Sequence, residues 1–316
     1  MTVSSCKYLS MQEMRVSIHK TDREIIEGMS GVQNFLKCRW DVVNRSMLGG
    51  WRFNNNYLLA GLSGHGKSWI LNLLMQDFAN KELNSEFHRD YKMLHFGFEM
   101  SASDEILRQI SSFTRIPYED LISANRKLTD IQYKLVKEAY KKIENTPIWI
   151  VEEPGTVQQL YFTIEEFNKR FPTSQLVITI DHSLLTKNTY SSEIELLAEL
   201  AKMFMKVRKT FGAMCIILGQ LNGNIEKDER LSIVPNKRFL HFPKKSDIHG
   251  SAQMYHAADF VIVVHQPRML GIEIYGEGAS PTEDLIAWHL IKARKGTPKF
   301  IRLKQDLNHG NIIQWN

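Results

Sequence analysis

Between positions 57 and 264, apolar runs of strand length alternate with stretches whose apolar residues recur at helical spacing. Tyr57–Ala60, Lys92–Phe98, Ile148–Val151, Leu176–Ile180, Ala213–Leu218 and Phe260–Val264 are the predicted strands. A helix from Lys67 to about Glu82 is expected to turn Trp69, Ile70, Leu73 and Leu74 inward, and Ser101 with Asp104 marks the next helix start. Thr129 with Gln132, Thr156 with Gln159 and Ser192 with Glu195 carry the capping-box pattern, in which two side chains reciprocally satisfy free amides. Alternation of this kind predicts an α/β fold with a mostly parallel sheet and helices on both faces. Leu285–Ala293, Phe300–Leu303 and Ile312–Trp315 follow one another through short turns, so the sheet should finish with antiparallel strands.

Ahead of this alternation, Ile25, Met29, Val32 and Leu36 fall on one face of a helix expected to start near Thr21 or Asp22. Residues 1–40 are read as an arm bearing this amphipathic helix, and 41–316 as one domain. The apolar stripe must be covered, either by its own domain or by a neighbouring subunit.

Composition narrows the picture only a little. A chain of 316 residues can bury one large core, and no repeat or low-complexity tract divides it. A net charge of +5 and a pI near 8.9 suit a polyanion without requiring one. Cys6, Cys38 and Cys215 show neither metal spacing nor a disulfide framework, which fits a reducing cytoplasm. The start lacks a signal-type apolar core, and no later run approaches the about 20 residues needed to cross a bilayer. A cytoplasmic protein without membrane contact is expected.

The candidate chemistry begins at Gly61-Leu62-Ser63-Gly64-His65-Gly66-Lys67-Ser68, placed between a predicted strand and a predicted helix. In this P-loop pattern backbone amides wrap nucleotide phosphates and the helix dipole favours their charge. Gly61, Ser63, Gly64, His65, Gly66, Lys67, Ser68 and Trp69 form the candidate nucleotide-binding stretch. Lys67 is expected to reach the β- and γ-phosphates and Ser68 to coordinate Mg²⁺, with ATP or another NTP as substrate. Asp181 ends a buried apolar strand and is the candidate second magnesium group. Glu99 ends the strand after the P-loop helix and is the preferred group for activating water, with Glu152 and Glu153 as competitors.

Phe96-Gly97-Phe98-Glu99-Met100-Ser101, taken with the P-loop, resembles the strand and glutamate motif of DnaB-type replicative helicases, a hexameric RecA-like family. Ile180-Asp181 resembles its Walker B, Leu218-Gly219-Gln220-Leu221-Asn222 its sensor motif, and Ser246 through Gly250-Ser251 to Asp259 its DNA-side segment. Ile291-Lys292-Ala293-Arg294-Lys295-Gly296 resembles the closing Lys-x-Arg motif, so the resemblance covers about residues 40 to 316. It implies a RecA-like P-loop core in which Glu99 activates water and Gln220 senses the γ-phosphate. Lys292 and Arg294 would reach a neighbouring subunit's nucleotide. His182, His249 and Gly250 depart from the family pattern. About 60 residues precede the P-loop, fewer than the family's separate helical N-terminal domain requires, which reads as a compact form of the phage or plasmid type.

The long polar stretch from Leu221 to Ser246 carries Lys227, Arg230, Lys237, Arg238, Lys244 and Lys245, with Phe239 and Phe242 among them. Such a loop suits sequence-tolerant phosphate contact. Lys244, Lys245, Lys237, Arg238, His249 and Gly250 are the candidate DNA-binding residues. The expectation is an ATP-driven ring, a homo-hexamer, that moves on single-stranded DNA and opens forked duplex. The resemblance implies 5′-3′ polarity and a primase, loader or single-strand-binding protein as partners. The alternatives are a RecA-, RadA- or KaiC-like ATPase or recombinase without processive unwinding, and an ATP-dependent module that binds or loads a replication protein.

Overall fold

The strand that enters the Gly-rich loop, Asn56–Gly61, is buried at every position, as a parallel sheet covered on both faces requires. In the computed structural model, which describes residues 14–30, 32–181, 189–227 and 241–315, this strand lies at the centre of a nine-stranded sheet. The helices are α1 (Met14–Met29), α2 (Asp41–Ser46), α3 (Lys67–Ala79), α4 (Ala102–Thr114), α5 (Tyr118–Ile122), α6 (Asp130–Glu144), α7 (Val157–Arg170), α8 (Glu193–Phe211) and α9 (Ser251–Ala257). The strands are β1 (Phe35–Leu36), β2 (Trp51–Arg52), β3 (Asn56–Gly61), β4 (Tyr91–Gly97), β5 (Ile148–Val151), β6 (Gln175–Asp181) and β7 (Met214–Gln220). They continue through β8 (Phe260–His265), β9 (Ile274–Tyr275), β10 (Ser280–Pro281), β11 (Leu285–Ala293), β12 (Lys299–Asp306) and β13 (Asn311–Gln314).

The large sheet runs β13-β12-β11-β8-β3-β7-β6-β4-β5. From β8 to β5 every pairing is parallel, and β11, β12 and β13 add antiparallel strands beyond β8. Alternate side chains serve opposite layers. Leu58 and Ala60 join Leu200, Phe204 and Ile164 on the α7–α8 face, while Tyr57 and Leu59 join Ile70, Leu73 and Phe78 on the α3 face. The predicted mostly parallel sheet with antiparallel C-terminal strands is therefore present. No helix among the described residues is long and apolar enough to cross a membrane.

Two local expectations change. The arm helix spans Met14–Met29, so it starts earlier than Thr21, and Leu36 leaves it to be buried in β1. Ile25 and Met29 are exposed, and Met14, Ile18 and Ile26 are exposed with them; the other described residues do not cover these side chains. Trp69 is half-buried at the rim of the core instead of facing inward, with the Arg108 guanidinium 5.0 Å from its ring centroid. The capping boxes at Thr129 and Thr156 form as expected. At Ser192 only half forms: its side chain accepts Glu195 N–H, but the Glu195 carboxylate turns to Ser191.

Candidate nucleotide site and nucleic-acid face

Strand β3 delivers Gly61 to the carboxyl end of the parallel strands, and α3 opens six residues later at Lys67. A Cβ at Gly61 would lie 2.6 Å from the Val264 carbonyl oxygen, so the loop crosses β8 without room for a side chain. Gly66 makes the turn into α3 at φ +87°, a conformation that suits glycine. Lys67 is buried and donates from Nζ to Leu62 O at 2.8 Å. Burial lowers its pKa against the opposing pull of Asp181 and Glu99. His65 is buried too: Nδ1 accepts Gln266 N–H at 3.0 Å, and the ring stacks on His265 with centroids 5.5 Å apart. Burial, helped by the Lys67 charge, takes the His65 pKa down to about 4, so the ring is neutral near pH 7. Ser63 and Gly64 are exposed, and Ser68 is half-buried.

Asp181 ends β6 in register with Gly97 of β4. The Ser68 hydroxyl donates to its carboxylate, while Oδ1 has no hydrogen-bond partner among the described residues. Burial first, then the Glu99 and Glu105 charges, raise its pKa to about 6 against the Ser68 bond and Lys67. A buried carboxylate oxygen without a donor, beside a hydroxyl, fits a hard divalent cation such as Mg²⁺. Ser68 and Asp181 are the residues that could hold it. Glu99 is exposed just beyond β4, and its charge is felt at Lys67, Asp181 and Glu105. Its competitor Glu152 is committed elsewhere, accepting Ala102 N–H at 2.6 Å at the start of α4. Lys67, Ser68, Glu99 and Asp181 thus converge at the carboxyl ends of β3, β4 and β6, where open α/β sheets bind ligands.

Gln220 ends β7 opposite Gly61. Its carbonyl accepts His249 N–H at 2.9 Å, Leu221 pairs with Ile248, and Asn222 N–H donates to Asp247 O at 2.7 Å. These bonds stitch the end of β7 to the segment that carries Lys244 and Lys245, both exposed. His249 Nε2 lies 3.2 Å from the Glu193 carboxylate. Gly250 is left-handed at φ +61°, and a Cβ there would meet Leu197 Cδ1 at 2.3 Å; packing therefore accounts for its small residue. Lys237 and Arg238, with Arg230, Phe239 and His182, lie outside the described residues.

Lys292 and Arg294 sit at the opposite end of the sheet. β11 runs antiparallel to β8 with Lys292 beside Val261 and Ala293 beside Phe260, whereas Gly61 lies beside Val264. Arg294 N–H donates to Asp259 O, which at about 3.3 Å per residue puts it roughly 16 Å along the strand from the P-loop end. Its guanidinium reaches Asp259 Oδ1 at 3.0 Å and His256 O at 2.8 Å. Asp259 is buried and also takes Arg208 at 2.6 Å and Asn56 N–H at 2.8 Å. Lys292 Nζ donates to Tyr255 O at 2.5 Å, 4.7 Å from the Tyr255 ring centroid.

The DnaB-like helicase C-terminal domain family matches residues 40–311. The chain belongs to that family. A replicative DNA helicase DnaB from Mycobacterium leprae (strain TN) is 23% identical over 239 residues, 72% of this chain and 36% of that protein. The chain thus spans little more than a third of that relative. A solved structure described as an ATPase domain superimposes with a TM-score of 0.77 at 16% identity, over 95% of this chain and 99% of that one. A DnaB-like replicative helicase, described with its interactions with primase, gives 0.75 at 18% identity over 98% of this chain and 68% of that one. These two likenesses show the fold, a RecA-like ATPase core.

Within this DnaB-like domain, three polar positions escape a reading of the sequence. Glu105 is buried on α4, where it accepts Asn72 Nδ2–H of α3, and burial raises its pKa. Nothing in the helical pattern separates it from the solvated carboxylates nearby. Gln266, which holds His65, falls in a turn with no motif of its own. Tyr255 looks like an ordinary helix residue until β11 brings Lys292 to it.

Proposed function

We propose that this chain is an ATP-driven helicase motor that assembles head to tail into a ring, a hexamer, and moves along single-stranded DNA to open forked duplex. Lys67 binds the terminal phosphates, Glu99 polarises the attacking water, and Gln220 relates the γ-phosphate to the segment stitched beside it. Ser68 and Asp181 hold Mg²⁺, which when bound neutralises charge on the phosphate oxygens. Trp69 and the loop from Gly61 to Ser68 complete the nucleotide cradle. Residues 1–40 serve as the arm and 41–316 as the motor domain.

One observation carries the reading: Lys292 and Arg294 lie at the far end of the sheet from their own P-loop. That separation supports a role at a neighbouring protomer's nucleotide, where a guanidinium supplied in trans stabilises transition-state charge. Lys244, Lys245, Lys237, Arg238, His249 and Gly250 serve DNA contact, in which lysines and arginines neutralise phosphates without reading sequence. The likeness to a helicase described with primase supports a primase contact for this chain as well, with a loader and a single-strand-binding protein as further cytoplasmic partners.

Unwinding of a forked duplex with a 5′ or a 3′ tail, in wild type and Lys67→Ala, tests the motor and its direction together. The expected result is ATP-dependent product from the 5′-tailed fork and none from Lys67→Ala. Strand exchange without unwinding of either fork would place the chain with the recombinase-like ATPases instead.

A further inference from the structure

The far end of the sheet holds more than the Lys292/Arg294 pair. Three cations from two different motifs converge on the last turn of α9. Lys292 Nζ and Arg294 Nη2 both donate to carbonyls of that turn, Tyr255 O and His256 O. Lys245 arrives from the DNA-facing segment, with Nζ 3.4 Å from His256 Nε2 and 4.9 Å from the Tyr255 ring centroid. The same ring carries Lys292 at 4.7 Å. Helix carbonyls at a C-terminus and the face of an aromatic ring both attract cations, which explains why three can gather there.

The gathering is asymmetric. Arg294 has a carboxylate, Asp259, whereas neither lysine makes an ion pair among the described residues. The two ammonium groups share one ring and repel each other. The Lys245 charge, with burial and Arg294, also opposes protonation of Lys292. Of the two lysines Lys245 is the exposed one, and its main chain is clamped through Asp247 to Asn222 just beyond β7. Its side chain can therefore leave the ring without any change in the strands.

We propose that Tyr255 is a positioning residue for the trans pair: its ring and carbonyl hold Lys292 for the neighbouring nucleotide, and the same ring parks Lys245 until a nucleic-acid phosphate draws it away. This rests on the trans role given above to Lys292 and Arg294. Withdrawal of Lys245 relieves the repulsion and leaves Lys292 as the sole cation on the ring. DNA occupancy on one face is thereby reported at a nucleotide site on the next protomer.

The test is steady-state ATP hydrolysis by the full chain, with and without an oligo(dT) strand, in Tyr255→Phe, Tyr255→Leu, Lys245→Met and Arg294→Ala. Tyr255→Phe keeps the ring and the carbonyl and should retain the DNA-stimulated kcat. Tyr255→Leu should lower it roughly ten- to hundredfold with KM for ATP unchanged, the loss expected when a catalytic cation shifts by about an ångström. Lys245→Met vacates the ring and should raise the DNA-free kcat severalfold, shrinking the stimulation by DNA. Wild-type behaviour of Tyr255→Leu, or a DNA-free rate unchanged in Lys245→Met, overturns the proposal while Arg294→Ala is inactive. Full turnover in Arg294→Ala instead removes the trans reading beneath it. Should Tyr255→Leu fail to fold by circular dichroism, Lys245→Met decides alone.

Discussion

Lys292 lies among a carbonyl, an aromatic ring and two further cations, and its pKa is brought down to about 8. Burial is the largest cause, the Arg294 and Lys245 charges add to it, and Asp259 opposes them. Each of the lowering causes disfavours the ammonium form, so the proton leaves at lower pH than from an ordinary lysine. Lys292 is charged at pH 7 and loses its charge as the pH rises through about 8. The DNA-free kcat, measured with Lys245 still on the ring, should accordingly fall on the alkaline side of that value in wild type. Lys292→Arg, whose guanidinium stays protonated throughout, should carry its activity to higher pH without that limb. A limb of the same shape and midpoint in Lys292→Arg would assign it to another group and deny Lys292 a charged role.

At the scale of elements, α1 has an apolar face that the other described residues leave uncovered. Met14, Ile18, Ile25 and Met29 lie along one face and are 77%, 59%, 56% and 84% exposed. Glu27 reaches the body through Arg89 at 2.6 Å. Each apolar side chain fully covered would contribute about 1.5–3 kcal/mol, which favours a neighbouring subunit as the cover. Ile18→Asp with Ile25→Asp should therefore lower the oligomeric state in sedimentation velocity while the thermal midpoint of the body holds. A lowered midpoint with the oligomer intact would show that α1 packs on its own domain. The sequence located this helix but misplaced its ends, because Val32 and Leu36 continue the apolar spacing after the helix has stopped. Leu36 pairs instead with Trp51 in a two-stranded ribbon, a distant partner that no local spacing reveals. The strands were legible for the opposite reason: buried runs such as Phe260–Val264 must be apolar on both faces. The P-loop residues and Asp181 were legible because each follows such a run, and Gln220 through the motif it shares with the family. Glu105 and Tyr255 were not, since their surroundings come from α3 and β11, far away in sequence.

For the whole molecule, the sheet holds the P-loop and the Lys292/Arg294 pair at opposite ends, which the proposed trans role makes two halves of one intersubunit site. Lys67, Glu99 and Asp181 gather at the carboxyl ends of the parallel strands, and Arg294 is fixed by Asp259 at the other end. Asp259 also binds Arg208 and the Asn56 amide, so Arg294 is anchored through it to α8 and to the first residue of β3, the strand that leads into the P-loop. A head-to-tail assembly makes every interface equivalent and joins each P-loop to the next protomer's pair. Two inactive variants should then complement each other. In a mixture of Lys67→Ala and Arg294→Ala, an interface works when the P-loop comes from the Arg294→Ala chain and the arginine from the Lys67→Ala chain. Random assortment of equal amounts makes about a quarter of the interfaces of a head-to-tail ring competent, so ATP turnover should reappear on mixing and follow the product of the two fractions. Differently tagged chains establish that the two variants have co-assembled. Co-assembly without recovered turnover would put Lys67 and Arg294 in the same protomer's site, against the separation that the sheet imposes.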